Sequence, residues 1–292
     1  MSLVAAIADA ITRTTGTRFV AARQTPITSG CIHQAFRLTD GKRSFFVKAH
    51  HARHLATFEA EAAGLQEMLA THSIRAPRLV CHGTAGGQAF LVLEYLKLGG
   101  HGDAAKLGRQ LAQMHRTTQS RFGWHRDNTI GGTPQPNPWS DDWVGFLREQ
   151  RLGMQLRLAS GHGYAGRLQR EGEKLLANLD LFFAGYRPAA SLLHGDLWSG
   201  NHGFIENGEP VIFDPAVYYG DREADLAMTE LFGGFAPAFY AAYREAWPLD
   251  AGYAARKTLY NLYHILNHAN LFGGGYAAQA ERMIAQLLAH IG

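Results

Sequence analysis

The hydrophobic pattern of this chain changes period near residue 97, and that change limits the architectures open to it. Before residue 97 the apolar residues alternate in short runs. These predict strands at 18–23, 33–38, 44–49, 78–83 and 89–95. Two helices are predicted among them, at 1–15 and 54–70. In the second, Leu55, Phe58, Ala62, Leu65 and Leu69 recur at helical spacing and share one face. Beyond Lys97-Leu98-Gly99-Gly100 the period becomes helical, over 103–118, 140–160, 165–184, 222–232, 236–246, 252–271 and 276–291. Only 203–206 and 210–213 still read as strands. The expectation is an α+β chain of two lobes. Residues 1–97 would form a small antiparallel sheet with its helix, and 98–292 a larger, mainly helical lobe. The Gly- and Pro-rich stretch 121–139 interrupts the helical part as a long loop, a kind of segment that often carries function.

Composition excludes several classes. The 292 residues are 46% hydrophobic and 18% charged, which suffices for a sizeable core. The formal charge is only +3 and no block of five basic residues occurs, so a nucleic-acid partner is not expected. No apolar run reaches the roughly 18 residues of a membrane span. Cys31 and Cys81 are the two cysteines and form no ligand or disulfide pattern. Reduced thiols and a cytoplasmic location are the resulting expectations.

The segment 191–221, SLLHGDLWSGNHGFIENGEPVIFDPAVYYGD, carries the chemistry. An apolar run delivers His194-Gly195-Asp196, Asn201 follows, and a predicted hairpin delivers Asp214 after Val211-Ile212-Phe213. The spacing H-x-D-x-x-x-x-N matches the catalytic loop of protein kinases, with Asp214 in the place of the metal-binding aspartate that follows it. A hydroxyl is a weak nucleophile, so a carboxylate must orient it and take its proton; Asp196 suits that task. Magnesium must offset the triphosphate charge, and hard cations take oxygen ligands, which Asn201 and Asp214 can supply. The competing reading is a plain hairpin loop whose Asp and Asn are turn residues.

Upstream, Lys48 lies in the apolar strand Phe45-Phe46-Val47-Lys48-Ala49, where it needs a partner. Glu61 on the 54–70 helix is the candidate, with Glu59 as rival, and the pair would contact ATP phosphates. Thr28-Ser29-Gly30-Cys31 falls between two strands and reads either as a phosphate-covering loop, through Ser29 and Gly30, or as a hairpin turn. Leu91–Leu96 ends at the lobe junction. Backbone groups at Glu94 and Leu96 would meet adenine, and Leu93 would set the depth of its pocket.

LLHGDLWSGN, VIFDPAVYYGDREADLAMTELFGGF and LYNLYHILNHANLFGGGY strongly resemble the fructosamine kinase, or ketosamine-3-kinase, family. FLVLEYLKL and NPWSDDWVGFLREQRLGMQL are similar too. That family is grouped with aminoglycoside phosphotransferase-like kinases, so the resemblance implies a bilobal protein-kinase-like fold. It also implies ATP- and Mg2+-dependent phosphorylation of the 3-hydroxyl of ketosamines, free or protein-bound, after which the adduct falls apart and frees its amine. Carried over by position, Asp196 is the base, Asn201 and Asp214 the metal ligands, and Lys48 with Glu61 the phosphate pair. Trp198 would wall the sugar, with core packing as its alternative. His194, His264, Asn267 and His268 would line the substrate side, with satisfied core histidines as the alternative for the helical set. Asp225 is expected to brace the local loop. Two departures stand out: the loop at 28–30 is poor in glycine, and His33 replaces the commoner Asn or Ser. Cys31 matches a family cysteine, which leaves both a monomer and a thiol-linked homodimer open. Rival readings are a kinase for an aminoglycoside, choline or simple sugar, and a nucleotide-binding pseudokinase.

Overall fold

A strand residue alternates sides, so a single lysine among aromatics on a central strand must face whatever covers the second face of its sheet. In the computed structural model, which describes residues 2–27 and 34–292, that strand is β3 (Ser44–His51). It lies third in an antiparallel sheet of order β1-β2-β3-β5-β4, with β1 Arg23–Pro26, β2 Gln34–Thr39, β4 Leu79–Ala85 and β5 Gln88–Glu94. Phe45, Val47 and Ala49 pack with Ile7 and Ile11 of α1 (Leu3–Thr15). Lys48, between them, stands opposite Leu91 of β5 and turns to the other side, where α2 (Leu55–Ala70) runs with Phe58 and Leu65 fully buried.

These elements belong to one of two units, formed by Met1–Asp103 together with His202–Pro215. The second is Ala104–Asn201 with Ala216–Gly292. The sequence expectation divided the chain at residue 97 and kept the 202–215 hairpin with the helices. In the structure the hairpin His202–Phe204/Pro210–Ile212 is bonded into the first unit. Ile212 N–H donates to Arg75 O at 3.0 Å, and Gly99 N–H to Phe204 O at 2.7 Å. Glycine at 99 and 102 is what permits this: a Cβ would come within 2.9 Å of the Glu206 backbone and 2.1 Å of the Phe204 ring, respectively.

The predicted strand at 18–23 shares only Arg23 with the observed β1. Phe19 instead plugs the core from a loop, its ring edge-on to Phe45 at 5.1 Å. Its burial is tertiary, and in sequence it imitates a strand.

The second unit is mainly helical: α3 (Ala104–His115), α4 (Trp143–Phe146), α5 (Met154–Gly161), α6 (Arg167–Ala177), α7 (Glu223–Leu231), α8 (Pro237–Ala246), α9 (Tyr253–Phe272) and α10 (Tyr276–Ile291). The single helix expected over 140–160 is broken by a π-helical turn, Leu147–Gly153. Sequence reading also overlooked the small strands of this unit. Thr118–Gln119, Ala190–Leu193 and Tyr218–Gly220 form one sheet, and Asn128–Ile130 pairs with Thr133–Gln135. Segments of two to four residues are too short to show a period. The α+β class is as expected. Among the described residues no helix is long and apolar enough to cross a membrane.

Candidate active site

In the first unit, Lys48 Nζ donates to Glu61 Oε1 and to Asp214 Oδ1, both at 2.8 Å. The sequence places Glu61 thirteen residues away and Asp214 far downstream, and the fold brings both to one ammonium that is 3% exposed. Burial opposes the charge on Lys48, but the carboxylates of Asp214 and Glu61 outweigh it and raise the lysine well above its ordinary value. Burial raises the Glu61 pKa, against the attraction of Lys48 and with the repulsion of Asp214. Two carboxylates thus share one cation. Asp214 has φ +59°, a left-handed conformation that is costly for a residue with a Cβ.

The second unit holds the loop that follows strand Ala190–Leu193. His194 and Gly195 N–H groups donate to the two oxygens of Asp225, at 2.7 and 2.8 Å. Asp225, on α7, is buried and also faces His115 Nε2 at 3.1 Å, while His115 Nδ1 lies 2.8 Å from the Tyr243 hydroxyl. Burial works against the Asp225 carboxylate, yet the bonds from His115 and the loop N–H groups hold its pKa below the usual value. Gly195 has φ +82°, and a Cβ there would lie 2.1 Å from Ala216 O, so no other residue fits without moving the backbone. Asp196 N–H meets His194 Nδ1 at 3.3 Å. Asn201 Nδ2 donates to Asp196 O at 2.8 Å and to its Oδ2 at 3.3 Å. That fixes the amide and leaves Asn201 Oδ1 as an acceptor. An amide oxygen here and a carboxylate at Asp214 are the donor types a hard divalent cation takes.

The remaining expected residues divide. Trp198 is 37% exposed, its ring edge-on to Phe232 at 6.2 Å, and Gly200 leaves room for it. His268 is half-buried, with its ring tilted against Phe232 at 4.9 Å; its Nδ1 meets His264 O at 2.8 Å. His194, His264 and Asn267, expected to line the substrate side, are buried. Their exposures are 0%, 5% and 3%. His194 braces the loop. Asn267 is held by Gln155 at 3.2 Å and Ile130 O at 3.4 Å. Burial, then His268, push the His264 imidazole down to about 3, so it is neutral. In the first unit Leu93 is buried and Leu96 half-buried. The Glu94 side chain is bonded to Arg75 and to Arg78 N–H at 3.3 Å, and its own N–H donates to Arg78 O at 2.9 Å. Ser29, Gly30, Cys31 and His33 lie outside the described residues.

The 121–139 stretch contains residues that sequence reading did not name. Gln135 and Asn137 are 0% and 1% exposed and belong to a polar network with Asn128 and Arg151. Its only signal was a density of Asn and Gln in a loop flanked by tryptophans.

A family model described as fructosamine kinase matches residues 3–290. A probable ketoamine kinase of Synechocystis is 49% identical, over 97% of this chain and 96% of its own. A chloroplastic protein-ribulosamine 3-kinase of Arabidopsis thaliana is 44% identical over 89% of this chain and 80% of its own. Among solved structures, a putative fructosamine-3-kinase from Haemophilus somnus superposes with TM-score 0.89 at 28% identity, covering 97% and 96% of the two chains. The aminoglycoside phosphotransferase APH(4)-Ia gives 0.63 at 14% identity over 99% of each, a likeness of fold.

Proposed function

Because this chain belongs to the fructosamine kinase family, we propose that it transfers the γ-phosphoryl group of ATP to the 3-hydroxyl of a ketosamine. The observation that carries the reading is the buried ammonium of Lys48 within 2.8 Å of both Glu61 and Asp214. In such a cluster the lysine can change partners, from Asp214 to phosphate oxygens. Glu61 holds the lysine in place during that exchange. Asp196 orients the acceptor hydroxyl and takes its proton, supported by the bonds that fix its loop. Asp214 and the Oδ1 of Asn201 would hold magnesium, which when bound offsets the charge of the triphosphate. Leu93 and the backbone at Glu94 and Leu96 suit an adenine ring. Trp198 and His268 offer an aromatic wall to the sugar.

The Arabidopsis relative's description supports a ribulosamine as the sugar, and loss of the 3-phosphate from such an adduct would free its amine. Two cysteines without a pairing pattern support a reducing, cytoplasmic setting. The test is a phosphorylation assay with MgATP on erythrulosamine, ribulosamine and fructosamine adducts of lysine. Turnover of at least one is expected, and Asp196→Ala and Asp214→Ala should each lower kcat by about 10²–10⁴ in a folded protein. Turnover of a different alcohol and of no ketosamine would sink the substrate assignment. Near-normal activity in either variant would sink the roles.

A further inference from the structure

Gln135 is fully buried, and its amide makes three bonds. Nε2 donates to Asn128 Oδ1 at 2.8 Å and to Ala216 O at 3.1 Å, while Oε1 accepts from the Tyr263 hydroxyl at 2.7 Å. Asn128 Nδ2 donates to Val217 O at 2.8 Å, and Asn137 Nδ2 to Asn128 Oδ1 at 3.0 Å. Arg151 Nη2 donates to Asn137 Oδ1 at 2.6 Å. Chemistry fixes every amide in this chain. A backbone carbonyl only accepts and a guanidinium only donates, so Arg151 at one end and the carbonyls of Ala216 and Val217 at the other allow one orientation of each. Arg151 is 1% exposed and sits on the π-helical turn, a feature often found at functional sites. Its acceptors are all neutral: Asn137 Oδ1, Pro136 O and Gln150 O, with the Tyr218 ring 4.1 Å from its guanidinium carbon.

The network ends on the peptide against which the Asp196 loop rests. Ala216 N–H donates to His194 O at 2.8 Å, and Ala216 O packs on Gly195 with no room for a Cβ. Asp225 holds this loop through its N–H groups; Ala216 supports it through a carbonyl and a close contact. We propose that Gln135 is a positioning residue for Asp196. Tyr263 and the Arg151–Asn137–Asn128 chain fix its amide, and the amide fixes the seat of the loop. This rests on the reading of Asp196 as the base. Displacement of a catalytic group by about 1 Å can cost on the order of 10²-fold in rate, so a loosened seat should be visible in kcat.

The test uses the full chain with Gln135→Glu, Tyr263→Phe and Arg151→Lys. Gln135→Glu keeps shape and the acceptor for Tyr263 but sets a carboxylate against Ala216 O and Asn128 Oδ1. Two readouts are taken: amide hydrogen exchange of the 192–201 peptide, and kcat with KM on ribulosyl-lysine and MgATP. In Gln135→Glu, exchange of that peptide should rise about tenfold and kcat fall about 10²-fold, with KM for ATP within about twofold. Tyr263→Phe, which removes one hydrogen bond and should fold, is expected to lose about two- to tenfold in kcat. A purely structural role would instead lower Tm and leave kcat per folded molecule intact. Unchanged exchange in Gln135→Glu and Tyr263→Phe overturns the positioning role, whatever the activity. Faster exchange with unchanged kcat overturns it too, unless Asp196→Asn is also fully active, in which case the base assignment is what has failed.

Discussion

Two buried polar assemblies hold the residues to which the proposed chemistry is assigned, and they are built on opposite terms. The one around Lys48 is ionic, with two carboxylates on one ammonium and Asp214 in a left-handed conformation. The one behind the Asp196 loop is organised by hydrogen bonds to backbone, through Asp225 on one side and Gln135 on the other. An ammonium shared by two carboxylates can trade one of them for another anion, so the first assembly suits a ligand with its own ions. The second assembly ties its loop to side chains through several directed hydrogen bonds, which suits a part that must stay still.

The sharpest way to break that comparison is Lys48→Met. It should cut kcat/KM for ATP by about 10²-fold or more, because the lysine's phosphate contact is lost. Thermal unfolding should show a loss of about 3 kcal/mol, because a buried carboxylate is left without its cation. A variant as stable as the parent would mean that the cluster is not under charge stress. Next in size is Asp225→Asn. An amide can accept from only one of the two loop N–H groups and turns a donor toward the other. A stability loss of about 2 kcal/mol is expected, with faster hydrogen exchange at 192–201 and little change in ADP affinity measured by calorimetry. An equal loss of ADP affinity would blur the division between the two assemblies. The most gradual effect concerns pH. The His264 imidazole is at about 3 when folded and at its ordinary 6.5 when unfolded. Between those values the unfolded chain binds more protons, so stability is full above about 6.5 and falls as pH drops toward 3. The slope approaches about 1.4 kcal/mol per pH unit. Urea titrations from pH 7 to pH 4 should show this decline, and His264→Gln should flatten it.

What could be read in advance depended on how local the signal was. The helix at 54–70 matches α2, and the strand at 33–38 matches β2, because many residues repeat the same period. The pairing of Lys48 with Glu61 was visible because a strand lysine among aromatics demands a partner and one helix follows. Asp196, Asn201 and Asp214 stood out through their spacing. The network of Gln135, Asn137 and Arg151 was not visible, since its members look like ordinary loop and helix polar residues until burial removes water from them. The burial of His194, His264 and Asn267 was not visible for the same reason: a sequence shows that a residue is polar and says little about which way it faces.

The sequence by itself therefore determined the class of the fold, which follows from periodicity, and the family, which follows from the resemblance of its motifs; residue types at fixed spacing singled out Asp196, Asn201 and Asp214 as candidates. Tertiary structure alone decided that Asp214 shares the ammonium of Lys48, that Asp225 and Ala216 hold the Asp196 loop, and that the 202–215 hairpin joins the sheet unit. Those contacts join residues tens to more than a hundred positions apart. Burial, which makes an unmatched polar group costly, selects among them, and burial is a property of the packed chain.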